Sequence, residues 1–514
     1  MNEKATRPRT LGRHPFGGLI ALGRGMGLGF SLGGAITAAS AQGYFPTVNP
    51  FLSSSGSNPQ PGTYNPATVI LPQSSREGWG APGDYNIKMG PVFASFTAGT
   101  TFTYQSNFNQ VGSGGAPAQS LFTIGPTAGV TLQYQISDTA LLQIGTGITY
   151  QTSIGGFQYD QLAISPNSNV SYQFSIDTVR ISIQNNISTA NQATIDPTIS
   201  GTGLSSLMEF NRLSNNSGLV IAWPVIKDTT LSAGYSYLLN TSIGKDNFQQ
   251  FDSGAHQFTV SAIHQLGPAL AVGVIGNGML ISYDSTPIVT QQGASLVNRS
   301  APIQNGSSSW SLGPSIQWMA TKSISLSATI SYSSQRFDGT GLVGDTSNFS
   351  GITPTLTISH RLNQSLVQTI SGARQANGGN GSNFTESYLA NYSLIYTLRN
   401  QVSISLGLGF NRFAQSNAGF AYVLYDPASP PPNYLYINEN GVAIVPLSSA
   451  QIGQQYNATL STTYPITKKL IAGVSYSYIE NHLNQNFSIQ SGTGSLSFAG
   501  YQTQTVILTL AYKF

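Results

Sequence analysis

Apolar side chains recur at every second position along most of this chain. Residues 402–410 read Val-Ser-Ile-Ser-Leu-Gly-Leu-Gly-Phe, and residues 324–332 read Ile-Ser-Leu-Ser-Ala-Thr-Ile-Ser-Tyr. Successive side chains of a β-strand point to opposite faces, so each segment has one apolar face and one face of small polar residues. The pattern therefore predicts β-strands along the chain.

The polar face of these strands carries almost no charge. Charged residues make up 8% of the 514 residues, against about one quarter in an ordinary soluble chain. A soluble sandwich turns a charged face to water, whereas Ser, Thr, Gln and Gly suit the water-filled lumen of a barrel whose apolar face contacts lipid. Only closure satisfies every backbone donor and acceptor in hydrocarbon. We therefore predict an all-β fold, a transmembrane antiparallel up-and-down β-barrel.

Short polar connectors separate the strands and alternate with longer stretches rich in Gly, Asn and Ser. Eight are recognisable, at Ser137-Asp138-Thr139, Ile176-Asp177, Lys227-Asp228, Leu266-Gly267-Pro268, Thr321-Lys322, Arg361-Leu362-Asn363, Arg399-Asn400 and Thr467-Lys468-Lys469. Eight turns join sixteen strands, and one strand at each end of the series gives eighteen. We expect 16–18 strands, with 18 preferred and 157–190 the weakest part of the count, together with short periplasmic turns and long extracellular loops.

Aromatic residues are placed near both ends of the predicted strands. Near the short turns lie Tyr134, Trp223, Trp318, Tyr396 and Tyr464, and near the long loops lie Tyr104, Tyr150, Tyr237, Tyr332, Phe410 and Tyr478. Transmembrane barrels carry two such girdles at interface depth, although Tyr also favours strands in general. The placement at strand ends favours the girdle interpretation.

The first 88 residues differ from the rest. Residues 1–41 combine a basic stretch, an apolar segment and the small residues Ala39-Ser40-Ala41, a pattern typical of a secretion signal peptide. Residues 42–88 are rich in Pro, Ser, Gly and Asn and predict a periplasmic linker or a lumen-filling tail. The barrel is expected over 89–514, with export by the general secretion route.

The end of the chain resembles the terminal strand of Gram-negative outer-membrane barrels. Those strands end in an aromatic residue preceded by alternating hydrophobic residues, and the matching positions here are Leu508, Leu510, Tyr512 and Phe514. The region around 83–92 and the strands after it also resemble porin-like outer-membrane proteins. The resemblance implies contact with outer-membrane lipid, recognition by the barrel-assembly machinery and, since such porins are often trimers, a homotrimer.

Residues that could act on a solute are few. Arg180 is the clearest lumen charge, and Lys513 is a second candidate. The longest predicted loop, 415–448, could fold inward as a constriction loop through Asp426, Tyr434, Tyr436 and Glu439, or stay exposed at the surface. His482 beside Glu480 is a weak acid–base candidate and more simply a solvated rim. We expect no catalytic site, no cofactor and no metal.

Charge excludes one further class of partner. Without residues 1–41 the formal charge is close to neutral, so no basic surface for nucleic acid is expected. The predicted function is a porin-like outer-membrane channel for passive diffusion of small polar solutes. The alternatives are a surface structural or adhesive barrel with an occluded lumen, or a barrel for polysaccharide export or for uptake of lipid-like substrates.

Overall fold

The computed structural model describes most of the chain after residue 84. The described residues are 85, 87–107, 120–154, 160–164, 168–191, 211–243, 252–292, 295–302, 304–341, 345–378, 382–398, 402–424, 436–437, 442–483, 487–491, 494–498 and 500–514. The predicted signal peptide and nearly all of segment 42–88 lie outside them. No helix among these residues is long and apolar enough to span a membrane.

Every regular element in the described part of the chain is a β-strand. The strands are β1 (Ile87–Met89), β2 (Val92–Gln105), β3 (Leu121–Ser137), β4 (Ala140–Ser153), β5 (Asp160–Ile164), β6 (Ser168–Ile176), β7 (Val179–Asn191), β8 (Asn211–Ile226), β9 (Thr229–Ser242), β10 (Ser253–Gly267), β11 (Leu270–Tyr283), β12 (Thr286–Gln292), β13 (Ser295–Ala301), β14 (Ser307–Met319), β15 (Ile324–Phe337), β16 (Phe349–Arg361), β17 (Leu366–Gly378), β18 (Phe384–Leu398), β19 (Val402–Leu424), β20 (Tyr436–Ile437), β21 (Val442–Pro465), β22 (Leu470–Leu483), β23 (Phe487–Ser491), β24 (Gly494–Phe498) and β25 (Tyr501–Lys513).

The main sheet closes on itself. Each long strand pairs antiparallel with its neighbours in sequence order, and β2 pairs with β25, for example at Ala98↔Tyr512. Three of its 21 strands, β1, β5 and β20, are short pieces beside longer ones, so 18 strands form the wall. The prediction of a closed barrel with 16–18 strands, 18 preferred, is confirmed. The weakest predicted segment contains a broken strand. Its first piece, β5, pairs with the end of β4, and its second piece, β6, pairs with the beginning of β4.

Seven of the eight predicted short connectors join strand pairs of the wall, and the eighth, Arg399-Asn400, lies outside the described residues, between β18 and β19. Two of them turn through the left-handed backbone region, at Asp177 (φ 53°) and Asp228 (φ 65°), which aspartate tolerates better than most residues. We call this end of the barrel the short-turn rim and the opposite end the long-loop rim. The turns are tight because successive antiparallel strands need no longer connection.

Two predicted loops contain more strand than the sequence indicated. The stretch 284–306 holds the hairpin β12–β13, and half of the stretch 415–448 continues β19 to Leu424 and β21 from Val442. The long connections were predicted, but the strand pairing within them was not. Gly, Asn and Ser weaken the strand signal, but backbone pairing in a long hairpin depends on the partner strand more than on such propensities.

The register fixes which side chains face outward. In β10 every second residue from Ala255 to Ile263 is buried, and the residues between them, such as Phe258 and Val260, are exposed. Large apolar side chains are exposed in the same way around the wall, including Ile148, Leu312, Ile330, Ile370, Leu460 and Leu508. An apolar exterior of this extent requires lipid rather than water around it.

The predicted aromatic residues all face outward. Tyr134, Trp223, Trp318, Tyr396 and Tyr464 are exposed near the short-turn rim. Toward the long-loop rim, Tyr104, Tyr150 and Tyr332 are exposed, and Tyr237, Phe410 and Tyr478 share the outward face by register. These two rows mark the interface depths of the wall, and the apolar belt lies between them.

Candidate functional site

The inner wall of the barrel is lined by small hydroxyl and glycine residues. Hydroxyls on adjacent strands bond to each other, as in Ser405–Ser461, Ser232–Ser261 and Ser333–Thr353, each at 2.6 Å between oxygens. Cross-strand pairs of this kind satisfy polar groups without filling the bore. Barrels of 16–18 strands are wide enough to leave an aqueous channel.

One side of the inner wall is less polar. Near the long-loop rim, Leu238, Ala255 and Ile281 form a buried cluster with Met279 and Tyr283 packed against it. Leu238 is paired with Asn216 on β8, and Asn216 in turn belongs to a row of facing amides, Asn169↔Asn186↔Asn216, on β6, β7 and β8. The bore is therefore polar overall, with one apolar strip.

Positive charges form a collar at the short-turn rim. Arg180, the second residue of β7, faces the bore. Arg361 and Lys513, the last residues of β16 and β25, face it as well. The three strands are spaced almost evenly around the wall. Along the described strands, no Asp or Glu shares this inward face, so the fixed charge of the bore is positive.

The predicted constriction residues lie mostly outside the described part of the chain. Asp426, Tyr434 and Glu439 belong to undescribed stretches, whereas Tyr436 starts β20, which pairs with β21 at Tyr436↔Ile444. The backbone of β20 contacts that of β12, so the hairpin that extends β19 and β21 meets the β12–β13 hairpin. Constriction by these residues stays a prediction.

A buried carboxylate ties several long loops together. Asp345, 1% exposed, accepts hydrogen bonds from Ser347 N (2.8 Å), Asn383 N (2.8 Å) and Ser416 Oγ (2.6 Å). Asn305 Nδ2 donates to the Asp345 carbonyl oxygen, which adds a further loop. Burial alone would raise the pKa of Asp345, but the hydrogen bonds outweigh it and lower the pKa. Sequence reasoning missed this cluster because its members are far apart in the chain.

Acidification is expected to loosen this loop cluster. Because the folded pKa of Asp345 lies below 3.8, its contribution is complete above the unfolded pKa and is lost as the pH falls through the folded pKa. At neutral pH, Asp345→Asn replaces an acceptor oxygen by a donor, and about tenfold faster hydrogen exchange of the Asn383 amide is expected. The matched control is Asp338→Asn, whose exposed carboxylate bonds only locally to Thr340. Equal exchange in both variants would contradict the tie.

The candidate assembly strand completes the wall. Leu508, Leu510 and Tyr512 face outward from β25, and Phe514 packs edge-on against Tyr512 at 5.1 Å between ring centroids. The Phe514 amide donates to Phe96 O at 3.2 Å, which anchors the chain end on β2. The geometry shows closure, and recognition by assembly machinery stays a prediction.

The predicted pair of His482 and Glu480 is formed on the outer wall. His482 Nε2 lies 3.0 Å from Glu480 Oε1, and Glu480 also accepts hydrogen bonds from Tyr478 and Gln502. Both side chains face outward by register. Within the described residues no cluster of three or more His, Asp or Glu could hold a metal ion.

The closed antiparallel wall, the apolar exterior between two aromatic rows and the polar bore define a transmembrane β-barrel. No protein-family model and no curated protein matches the chain. Solved structures similar to it include a BenF-like porin from Pseudomonas fluorescens, with 8% identity, a TM-score of 0.42 and coverage of 83% of this chain and 100% of that one.

Two further solved structures are similar to about the same degree. OccAB3 from Acinetobacter baumannii has 8% identity and a TM-score of 0.41, covering 82% of this chain and 99% of that one. OpdQ from Pseudomonas aeruginosa has 10% identity and a TM-score of 0.41, covering 82% of this chain and 97% of that one. Scores this low support no inference about solute or role.

Proposed function

We propose that this barrel is a porin-like channel in the outer membrane of a Gram-negative-type bacterium, through which small polar solutes diffuse passively. The observation that carries the proposal is the inner wall of Ser, Thr, Gly and amide side chains, whose hydroxyls bond to each other across strands. Such a surface offers weak hydrogen bonds and no tight site. Passage is then limited by size and needs no coupled energy source.

The basic collar refines this proposal toward anions. Arg180, Arg361 and Lys513 place positive charge on the inward face of the described strands, and a ring of like charge favours counter-ions at a mouth. Three charges around a wide opening give a preference rather than strict selectivity, because salt screens them within about 8 Å at physiological ionic strength.

Planar-bilayer recording and liposome swelling test the channel directly. Refolded protein, verified as a barrel by heat-modifiable migration, is expected to give stepwise conductance and to admit sugars at rates that fall with their size. A folded barrel without conductance or swelling would overturn the proposal. That result would favour the alternative of a structural or adhesive barrel with an occluded lumen.

Reversing the charge at Arg180 is expected to change ion selectivity. Arg180→Glu leaves a collar of two positive charges and one negative, so the reversal potential in a salt gradient should move toward cation preference. Arg336→Glu is the control, because Arg336 lies on the outward face of β15 near the long-loop rim. An equal shift in the two variants would show that the collar does not set selectivity.

A further inference from the structure

The ladder between β16 and β17 stops halfway up the barrel wall. These strands pair from Arg361↔Val367 to Thr355↔Ala373 and no further among the described residues. Above that point β16 stays paired with β15 as far as Phe349, and β17 stays paired with β18 as far as Gly378. Both strands therefore continue toward the long-loop rim, but residues 349–354 and 374–378 do not bond to each other as a ladder.

Proline explains where the ladder ends. Pro354 follows the last paired position and has no backbone N–H to donate. Pro126 and Pro314 interrupt the β3–β4 and β14–β15 ladders in the same way, but there pairing resumes beyond the proline. Only along β16–β17, among these three, does the gap stay open to the strand ends.

The side chain of Arg374 fills this seam. Its Nε donates to Glu386 Oε1 at 2.7 Å and its Nη1 donates to Ile352 O at 2.8 Å, which crosses the seam to β16. The guanidinium lies 5.7 Å from the rings of both Phe349 and Tyr388. Phe349 is buried and faces inward by register, whereas Tyr388 is exposed on the outer wall. The guanidinium therefore sits within the wall, between an inner and an outer ring.

A glycine leaves space for the Arg374 side chain, which we call the plug of the seam. A Cβ on Gly351 would lie 3.3 Å from Arg374 Nη1, so a larger residue at position 351 would crowd the plug. The plug is held by its ion pair with Glu386, its hydrogen bond to Ile352 O and its ring contacts. The neighbouring strand pairs, β15–β16 and β17–β18, are held by continuous backbone ladders.

Aromatic rings pack at the upper end of the seam. Phe349 and Phe337 face inward by register, and the ring of Phe384 lies 5.5 Å from Phe349 and 6.4 Å from Phe337 between centroids. On the outside, Ile352 is exposed beside Tyr332, a member of the aromatic row toward the long-loop rim. The seam thus lies between this aromatic cluster and the outward aromatic row, which marks headgroup depth.

We propose that the β16–β17 seam above Pro354 is a side opening through which single-chain amphiphiles with an anionic head pass between the leaflet and the lumen. The alkyl chain contacts Phe349, Phe384 and Phe337, and the head takes the place of Glu386 on the Arg374 guanidinium, whose planar fork binds carboxylates. This route is additional to the axial passage of polar solutes. It makes Arg374 the gate between the two environments.

Cross-linking the seam tests the route. The chain contains no Cys, so Ile352→Cys with Ala376→Cys, facing residues if the register is extended, can be joined by a short cleavable bis-thiol reagent. The matched control joins Ser334→Cys to Ser350→Cys, an outward pair in the continuous β15–β16 ladder. The probe is dodecanoate with a terminal diazirine, dissolved in the lipid of nanodiscs, with albumin in the buffer to capture free probe.

After illumination, mass spectrometry locates the labelled residues. We expect labelling of Phe349 and Phe384 in the unlinked protein, a loss of at least tenfold when the seam is joined, recovery on cleavage, and no loss in the control. Equal labelling of the two linked proteins, or no labelling of these rings in the unlinked protein, would overturn the side opening. Liposome swelling with sugars, run on the same samples, reports the axial channel separately.

Freeing the guanidinium supplies a second arm. Glu386→Ala removes the carboxylate that the anionic head would replace and is expected to increase labelling of Phe349 several-fold. Arg374→Ala removes the guanidinium that would hold the head and should lower the labelling, and Arg374→Lys, which keeps the charge without the planar fork, should fall between this variant and the native protein. Heat-modifiable migration verifies that each variant folds. Labelling that does not rise in Glu386→Ala, or does not fall in Arg374→Ala, would show that the guanidinium is not the site of the anionic head.

Discussion

Replacing Leu460 by arginine is expected to destabilise the barrel by about 2–4 kcal/mol in lipid vesicles, the range for a basic residue at the bilayer midplane of a transmembrane barrel. Leu460 is 49% exposed and lies on β21 midway between the outward residues Tyr464 and Tyr456. A guanidinium at this position would have to leave water for hydrocarbon. A urea titration followed by intrinsic fluorescence measures the loss.

The neighbouring residue is the matched control. Thr459 faces the bore and pairs with Gly407 on β19, which leaves room for a long side chain. Thr459→Arg is therefore expected to fold with near-native stability and to lower conductance. If Thr459→Arg lost as much stability as Leu460→Arg, or more, the assignment of the two faces would be wrong.

Deleting residues 501–514 is expected to prevent formation of the barrel altogether. Strand β25 pairs with β2 from Thr97↔Lys513 to Gln105↔Thr505, and with β22 along its whole length. Without it, β2 and β22 would expose unpaired backbone to hydrocarbon, at several kcal/mol for each unsatisfied group. Refolding into detergent micelles, read by heat-modifiable migration, should then yield no folded species.

A single substitution separates closure from recognition. Phe514→Ala removes one ring that packs on Tyr512 and keeps the backbone bond to Phe96, so refolding in detergent should succeed. In cells, we expect slower assembly if the terminal aromatic residue is the signal that the assembly machinery reads. Normal assembly in cells would refute that role and leave the architecture untouched.

The wall of the barrel could be predicted from the sequence because its signals are local. The alternation in residues 402–410 indicates the two faces of one strand. A connector such as Lys227-Asp228 indicates where another strand ends and the chain turns. Eight such connectors were enough to give the strand number. The broken strand β5–β6 was the weakest part of the count because it lacks a continuous run of alternation.

The features that act across the wall could not be predicted in this way. Asp345 and Asn383 are brought together by strand packing, and nothing near either residue in the chain identifies its partner. The Arg374 plug depends on a ladder that stops at Pro354, yet a proline alone did not foretell a seam, since the ladder resumes beyond Pro126. The basic collar was seen only in part, through Arg180 and Lys513, because Arg361 was counted as a turn residue.

The joining of β2 to β25 has a consequence for how the molecule is made. Ala98 faces Tyr512 in the closed wall, so a contact that completes the cylinder links the first and the last strand of the wall. Contacts so remote in sequence form slowly, because the ends of a very long segment must first meet. Every residue from β2 to β25 must therefore be synthesised before the cylinder can be completed, and the last strand to be made is one of the two that complete it.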